Sequence, residues 1–458
     1  MTGLPPAAKA RYTSSMQKTN SSSIPMTRRQ FVQSAVMSAA MATALGSAPY
    51  VARGQVRGAN ERLGVGFIGC GGRAAAHLTS VQWLMTEGKM PLRVVAVCDL
   101  YRGRLERMAT QLQNQGIQVA RYRDYRDLIA DPKVDVVCIS TPDHHHCDQA
   151  IAAVRAGKDV YCEKPLSHWR QFDKTKVLAR EVQRTGRVFQ LGTQGMSDSA
   201  WRQMKQLIQD GLIGQPILAE CGYFRVGDWG ERGMPIDDPN VKPGEDLDWE
   251  AFLGDAPRRP FDVSRFFRWR MYEDYAGGPV TDLYPHALTP VVSMLGVRWP
   301  SEVVATGGIF RYPEREVPDT FNLLATYPEK LTIAVLGTQG NDYFGAAGGR
   351  GSPGRVPEIR GWEGTLTIRR SETTNRNVIA FIPAQGSKRQ PQEFAIESGE
   401  NLTAHWRNFI DCCLKRDPCT WSPADLAYYT QTALIMGMLA WRQGKAVKFD
   451  PANEQILL

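Results

Sequence analysis

From residue 61 to about 190, short apolar runs alternate with stretches of helical period. Leu63–Ile68, Leu92–Cys98, Val134–Ser140, Asp159–Cys162 and Arg187–Leu191 read as strands, with helical patterns such as Arg104–Gln115 and Gln149–Ala156 between them. Apolar runs rich in β-branched residues, each followed by a turn or a helix, predict a parallel sheet covered on both faces. From about 190 the rhythm changes. Trp201–Asp210 reads as a helix, and Ile217–Phe224, Ser301–Phe310, Thr320–Tyr327, Leu331–Thr338 and Thr365–Arg369 read as strands with few helices among the later ones. That half is expected to be an α+β domain with a large, mainly antiparallel sheet. Residues 339–360, rich in Gly, Pro and Arg, are expected to form a long loop, and 371–392 a second excursion. Leu402–Leu414 and Pro423–Arg442 read as C-terminal helices.

Composition sharpens this division. The chain has 458 residues, 43% of them hydrophobic, enough for two domains with their own cores. A formal charge of +8 raises the question of a nucleic-acid partner. Residues 1–53 hold Lys9, Arg11, Lys18, Arg28, Arg29 and Arg53 and no acidic residue. Removing those six leaves a nearly neutral body, which excludes a broad phosphate-binding face. The same segment contains Thr27-Arg28-Arg29-Gln30-Phe31-Val32, followed by the mildly apolar, Ala- and Ser-rich stretch Phe31–Ala48. It reads as a twin-arginine export signal cleaved between Ala44 and Ala52, with Met26 as a candidate start. An organelle transit peptide is the other reading. The stretch is weakly hydrophobic for a membrane span, and none is expected after its removal. The nine cysteines follow no CxxC or framework spacing and read as buried small hydrophobes.

Candidate chemistry begins at the end of the first strand. Gly69-Cys70-Gly71-Gly72-Arg73-Ala74 is a G-x-G-x-x-A turn between a strand and a helix, and a second strand ends at Cys98-Asp99. Glycines there let the backbone approach a pyrophosphate, and the helix N-terminus supplies N–H donors. Asp99 can accept from a ribose 2′-hydroxyl and repels a 2′-phosphate. This favours NAD, while Arg102 and Arg104 keep NADP open. The domains are therefore a leader over 1–53, a dinucleotide-binding Rossmann domain over 54–189, and a substrate and oligomerisation domain over 190–458.

Two further clusters carry reactive groups. Lys164, in the run Asp159–Pro165, follows a buried strand at its carboxyl end, where ligands of such sheets bind. Its ammonium can hold a substrate hydroxyl. Pro165 fixes the turn after it, and a cis bond is accessible at such a proline. In Gly277–His286, a helix would set Asp282 and His286 one turn apart on one face, with His286 a general base. Pro285 is awkward in that helix unless the helix starts nearby. His144, His145 and His146 lack ligand spacing with other donors, so no metal is expected. Cofactor or substrate contact is the expected role of this run.

These motifs, in order, are GFIGCGGRA, VCD, STPDHHH, AGKDVYCEKPL, GTQ at Gly192–Gln194, GGPVTDLYPH and HWRNFIDCC. From about residue 61 to its end the chain resembles the Gfo/Idh/MocA oxidoreductase family. The resemblance implies a catalytic group of Lys164, Asp282 and His286. It implies that Thr141, Pro142, His146, Glu163 and Gln194 join the glycine turn in lining the cofactor site. The segment Phe266–Tyr275 resembles exported members, which makes Arg268, Tyr272, Tyr275 and Tyr284 substrate candidates and Tyr223, Arg225 and His168 weaker ones. His145 departs from the aromatic residue common in exported relatives. LYPHALTP is similar to, but one residue shorter than, a segment of NAD-dependent glycosidases.

The leading expectation is an exported dehydrogenase acting on a sugar, polyol or glycoside, working as a homodimer or homotetramer. Export away from a nicotinamide pool favours a tightly held cofactor. The alternative is a glycosidase working by oxidation, elimination, hydration and re-reduction, with Tyr284 or Tyr275 as an extra acid or base. A non-catalytic sugar sensor is the third class; intact Lys164, Asp282 and His286 argue against it.

Overall fold

A computed structural model describes residues 62–227, 234–343 and 354–458. The leader expected over 1–53 lies outside them. The first sheet comprises β1 (Leu63–Ile68), β2 (Leu92–Cys98), β3 (Ala120–Tyr122), β4 (Val136–Ile139), β5 (Asp159–Cys162) and β6 (Phe189–Leu191). Its order is β3-β2-β1-β4-β5-β6, and every pairing is parallel. β1, β4 and β5 are buried along their whole length, because helices cover both faces. Strand order reverses between β1 and β4. The crevice at that switch point is where a doubly wound sheet binds its ligand.

The second sheet holds β7 (Pro216–Phe224), β8 (Glu302–Gly308), β9 (Thr320–Tyr327), β10 (Leu331–Thr338), β11 (Gly354–Gly361), β12 (Gly364–Arg370), β13 (Asn377–Pro383), β14 (Gln392–Ala395), β15 (Val447–Asp450) and β16 (Gln455–Leu457). Its order is β14-β13-β12-β11-β7-β10-β9-β8-β15-β16. Only β7 and β10 pair in parallel, so the sheet is mainly antiparallel as expected. Two expectations need correction. The stretch 339–360 contains β11, and 371–392 contains β13 and the first residue of β14. Pairing with already formed neighbours overrides the Gly, Pro and polar composition that suggested loops.

One face of this sheet packs against helices Tyr284–Leu295 and Ala424–Gln443, with Leu288, Val291, Leu323, Ile333 and Ile435 in the shared core. Helix Leu402–Lys415 instead returns to the first sheet. Its Trp406, Phe409 and Ile410 pack with Leu63, Val65 and Tyr161. Trp406 stacks on Tyr161 at 4.2 Å between ring centroids. A division at residue 190 would cut β6, so the first sheet ends only after Leu191, and helix Leu402–Lys415, from the later part of the chain, packs on it. The described residues form one compact unit.

Between β7 and helix Tyr284–Leu295 the chain makes a long strap with its own small core, including Leu247, Trp249, Phe252, Phe266, Phe267 and Tyr275. The strap docks on the end of β2: Arg102 N–H donates to Asp246 O at 2.9 Å, and Tyr101 bridges to Leu247. Eight of the nine cysteines are buried and none is disulfide-bonded. No helix among the described residues is long and apolar enough to cross a membrane.

Candidate active site

The switch point opens into a cavity of about 970 Å³, floored by the ends of β1, β2, β4 and β5 and walled by the strap. Gly69, Gly71, Gly72, Arg73, Asp99, Thr141, Pro142, Glu163 and Lys164 all line it. The glycines are needed there. Gly69 has φ +83, and a Cβ on it would stand 2.8 Å from the Ser140 carbonyl. A Cβ on Gly72 would meet nothing within 4 Å, so the backbone edge faces open space. Helix Gly72–Thr86 begins there with no side-chain cap and no acidic residue in its first turn. Its N–H donors are left for an anion such as a pyrophosphate. The donor set and the bare backbone fit a dinucleotide.

Asp99 spends its carboxylate on two backbone donors, Cys70 N–H at 2.7 Å and Tyr101 N–H at 2.8 Å. Burial raises its pKa and Arg104 opposes the rise. Arg104 itself donates to Asp237 of the strap at 2.8 Å. Glu163 is gripped from two sides. Its Oε1 accepts from Arg73 Nε at 2.7 Å and pairs with His77 Nε2 at 2.9 Å. Trp406 Nε1, which can only donate, meets His77 Nδ1 at 2.9 Å. That contact fixes the tautomer: Nδ1 accepts, and Nε2–H donates to Glu163. Although burial works against ionisation, Arg73 and His77 hold the Glu163 carboxyl well below the usual range.

The reactive cluster stands beside this cradle. The Lys164–Pro165 bond is cis. Lys164 Nζ donates to Asp282 Oδ1 and to the Asp282 carbonyl, both at 2.6 Å. Arg270 Nε lies 3.2 Å from Oδ1, and Arg225 Nη2 lies 3.8 Å from Oδ2. Burial alone would protonate Asp282, but Lys164, Arg270 and Arg225 push its pKa far down. Burial and then the positive charge of Lys164 push the pKa of His286 down to about 3, so its imidazole is neutral near pH 7. Asp143, beside the same group, is 2% exposed. Burial raises its pKa to about 7 despite Arg270 and Lys164.

The single helix expected through Asp282 and His286 is two. One spans Pro279–Asp282 and the next Tyr284–Leu295, with Leu283 between them. Pro285 thereby falls in a first turn, where a missing N–H costs nothing. His286 and Asp282 still share one locality, because the break is a single residue.

Other expected contacts are placed differently. Ala74 is wholly buried in the Rossmann core, so its role is packing against the sheet. His146 faces inward: Nδ1 lies 2.6 Å from Pro165 O and Nε2 2.8 Å from Thr141 O, which braces both loops rather than lining the cavity. Gln194 accepts from Arg73 Nη2 at 3.0 Å and reaches the site through that arginine. His144 Nε2 and His145 Nε2 both meet Phe252 O, at 2.7 and 2.8 Å, and anchor the strap, and His145 also lines the cavity. Of the substrate candidates, Tyr284 is fully buried and its hydroxyl donates to Phe321 O. Tyr275 is also fully buried, against His144 and Phe252, and burial raises its pKa to about 12. Neither is available as an extra acid or base. Arg268 donates to Met234 O and Tyr272 to Ser264 Oγ, so both tie the strap to itself. Of the segment Phe266–Tyr275, the residues that line the cavity are Phe266 and, beyond it, Trp269 and Arg270. The sequence reading found the segment and missed Trp269 and Arg270, because a 3₁₀ turn over Trp269–Met271 decides which side chains face inward. It also missed His77, whose only sequence signal is a polar residue on the buried face of the helix that follows the glycine turn.

Residues 63–193 match a family described as an oxidoreductase family with an NAD-binding Rossmann fold. Residues 197–306 match the family's C-terminal alpha/beta domain. Inositol 2-dehydrogenase of Salmonella typhimurium is 33% identical over 173 residues, 38% of this chain and 49% of that protein. Inositol 2-dehydrogenase 1 of Saccharopolyspora erythraea is 38% identical over 157 residues, 34% of this chain and 44% of that protein. The chain thus spans about half the length of these curated relatives. Levoglucosan dehydrogenase, solved with NADH and levoglucosan, superposes with a TM-score of 0.62 at 20% identity, over 85% of this chain and 99% of that one. Aldose-aldose oxidoreductase of Caulobacter crescentus gives a TM-score of 0.57 at 20% identity, over 85% and 100%. The solved structures share the fold, the family matches extend over residues 63–193 and 197–306, and the chain belongs to the Gfo/Idh/MocA oxidoreductase family.

Proposed function

We propose that this protein oxidises a secondary hydroxyl of a sugar, polyol or glycoside, with NAD held tightly in the fold. The observation that carries this reading is the Lys164–Asp282 pair, at the carboxyl end of β5, opening into the dinucleotide cavity. When bound, nicotinamide accepts the hydride. The chain's own residues handle the proton. Lys164 has three N–H donors and spends two on Asp282, which leaves one for a substrate hydroxyl. A cation at that atom stabilises the alkoxide character that develops as the C–H bond breaks. His286, held neutral, has a lone pair to take the hydroxyl proton. Asp282 fixes Lys164 in place. Replacing Lys164 by Ala should abolish NADH formation across a panel of sugars and polyols; near-normal turnover would refute the assignment.

Three finer points belong to the same proposal. NAD is favoured over NADP, because Asp237 occupies Arg104 and leaves the Asp99 charge to repel a 2′-phosphate. Michaelis constants for the two cofactors test it. Tight retention is supported by the strap, which walls the cavity through Phe252, Phe266 and Trp269. The twin-arginine leader supports export, which cell fractionation with and without R28K/R29K would test. Homo-oligomerisation is supported by the outer face of the second sheet, where the cross-strand pair Val304 and Leu324 is 40% and 45% exposed.

A further inference from the structure

Two arginines stand at the β2 end of the cavity, where a doubly wound sheet receives the adenosine ribose. Arg104 and Arg107 lie on helix Arg102–Asn114, directly after β2, and both line the cavity. Arg104 reaches back over the glycine turn: a Cβ on Gly71 would stand 3.6 Å from its Nη1. An arginine in this position suits the 2′-phosphate of NADP, which its fork can grip with two N–H···O bonds. Asp99 is only a partial counterweight. Its two oxygens already accept from Cys70 N–H and Tyr101 N–H. Burial raises its pKa, and Arg104 and then Arg107 oppose the rise, so both cations act on the place where a 2′ substituent would lie.

The strap changes what these arginines can do. Asp237 Oδ2 accepts from Arg104 Nε at 2.8 Å and from Arg107 Nη2 at 3.1 Å. The side chains of Arg104 and Asp237 are 16% and 13% exposed, so water and salt screen the pair little. Strap aromatics hold Arg104 as well: its guanidinium carbon stands 5.2 Å from the Phe267 ring centre and 6.0 Å from that of Phe266. Asp237 lines the same cavity as both arginines. Its carboxylate therefore takes the Nε edge of Arg104 and sets a negative charge beside it. A phosphate dianion must displace that carboxylate or lie against it, and either is costly. A 2′-hydroxyl meets neither cost.

We infer that Asp237 is the residue that bars NADP from this site, by holding Arg104 and Arg107 on the strap. The inference rests on the reading of NAD as the cofactor and goes beyond it in placing the choice on a strap carboxylate rather than on Asp99 alone. Without that carboxylate the same two arginines form a 2′-phosphate site. Asp237 is thus a specificity residue, with no part in the chemistry at Lys164.

The test is an exchange equilibrium on the purified, nucleotide-carrying protein. It is incubated with NAD and NADP at set ratios and freed of unbound nucleotide, and the bound nucleotide is identified by chromatography after denaturation. The NADP-to-NAD ratio that gives equal occupancy reports relative affinity, whatever the turnover. The unsubstituted protein should need about a tenfold or greater excess of NADP. Asp237→Asn should lower the ratio by about tenfold or more, because it makes the site one unit more positive beside the phosphate. Asp238→Asn makes the same change in net charge one residue away and leaves the contacts of Asp237 in place, so it should move the ratio by about threefold or less. Arg104→Gln added to Asp237→Asn should take back most of the gain. Circular dichroism and a melting curve confirm that each variant is folded, and Asp237→Ser serves in place of Asp237→Asn if the latter does not fold. A ratio for the Asp237 variant within about threefold of the unsubstituted protein, an equal gain from Asp238→Asn, or a gain undiminished by Arg104→Gln would overturn the inference. Any of these, with NAD still preferred by the unsubstituted protein, would leave the NAD reading standing and return the choice to Asp99. Preference of the unsubstituted protein for NADP would sink the NAD reading and the inference together.

Discussion

Lowering the pH from 7 to 5.5 should cost the folded protein about 4 to 5 kcal/mol. All seven histidines have their pKa lowered, in each case first by burial. For His145 and His168 the value is about 4, for His286 and His405 about 3, and His144 lies well below its ordinary value. In the unfolded chain each titrates near 6.5 and takes up a proton that its folded counterpart refuses. The stability these five supply is therefore complete above pH 6.5 and is lost as the pH falls toward their folded values. Each contributes about 1.2 kcal/mol of loss over this interval, or about 6 kcal/mol together. Asp143 works in the opposite sense. With a folded pKa of about 7 it binds a proton before the unfolded chain does and returns about 1.6 kcal/mol. Urea midpoints at half-unit steps from pH 7 to 5.5, at constant slope, give the stability at each pH. Linkage then requires a net uptake of about three protons on unfolding near pH 6. An uptake below about one proton would mean that these imidazoles are charged in the folded state, and His286 would lose its standing as a neutral base.

Other perturbations follow from single contacts. Gly69→Ala places a Cβ against the Ser140 carbonyl at φ +83, so bound nicotinamide should vanish and stability fall by about 1–3 kcal/mol, read by absorbance and melting. Trp406→Phe keeps the stack on Tyr161 and removes the N–H that fixes the His77 tautomer. It should cost about 1–3 kcal/mol and weaken NAD binding, and unchanged NAD affinity would show that the relay to Glu163 does not matter. The double variant His144→Ala/His145→Ala removes both donors to Phe252 O and should speed NAD release at the strap, measured by dilution into a NAD trap. An unchanged release rate would remove the strap from cofactor retention.

Much of the fold was legible in the sequence where a strand is buried on both faces or alternates cleanly. β1, β2, β5, β9 and β10 run between the residues at which their apolar patterns begin and end. The glycine turn and the carboxyl-end lysine were legible for a related reason: each needs one residue type at one backbone position. Strands β11, β13 and β14 were not, because their pairing depends on partners distant in sequence. The same holds within the site. The pairing of Lys164 with Asp282 could be anticipated from motif order, but Arg225 and Arg270 reach Asp282 from β7 and from the strap, which only the folded chain brings together. The histidine run shows the reverse case. Its chemistry suggested ligand contact; His145 does line the cavity, while each of the three rings also meets a backbone carbonyl that holds the strap or the cis-proline turn.

The most direct test of the central claim is a single-turnover measurement on purified protein carrying its own NAD, mixed with an oxidisable sugar or polyol, comparing the unsubstituted chain with Lys164→Met. Both proteins should retain nicotinamide. The unsubstituted chain should reduce it in one phase, and the variant should be slower by about a hundredfold or more. Reduction by the variant at a rate within about threefold of the unsubstituted chain would contradict the account.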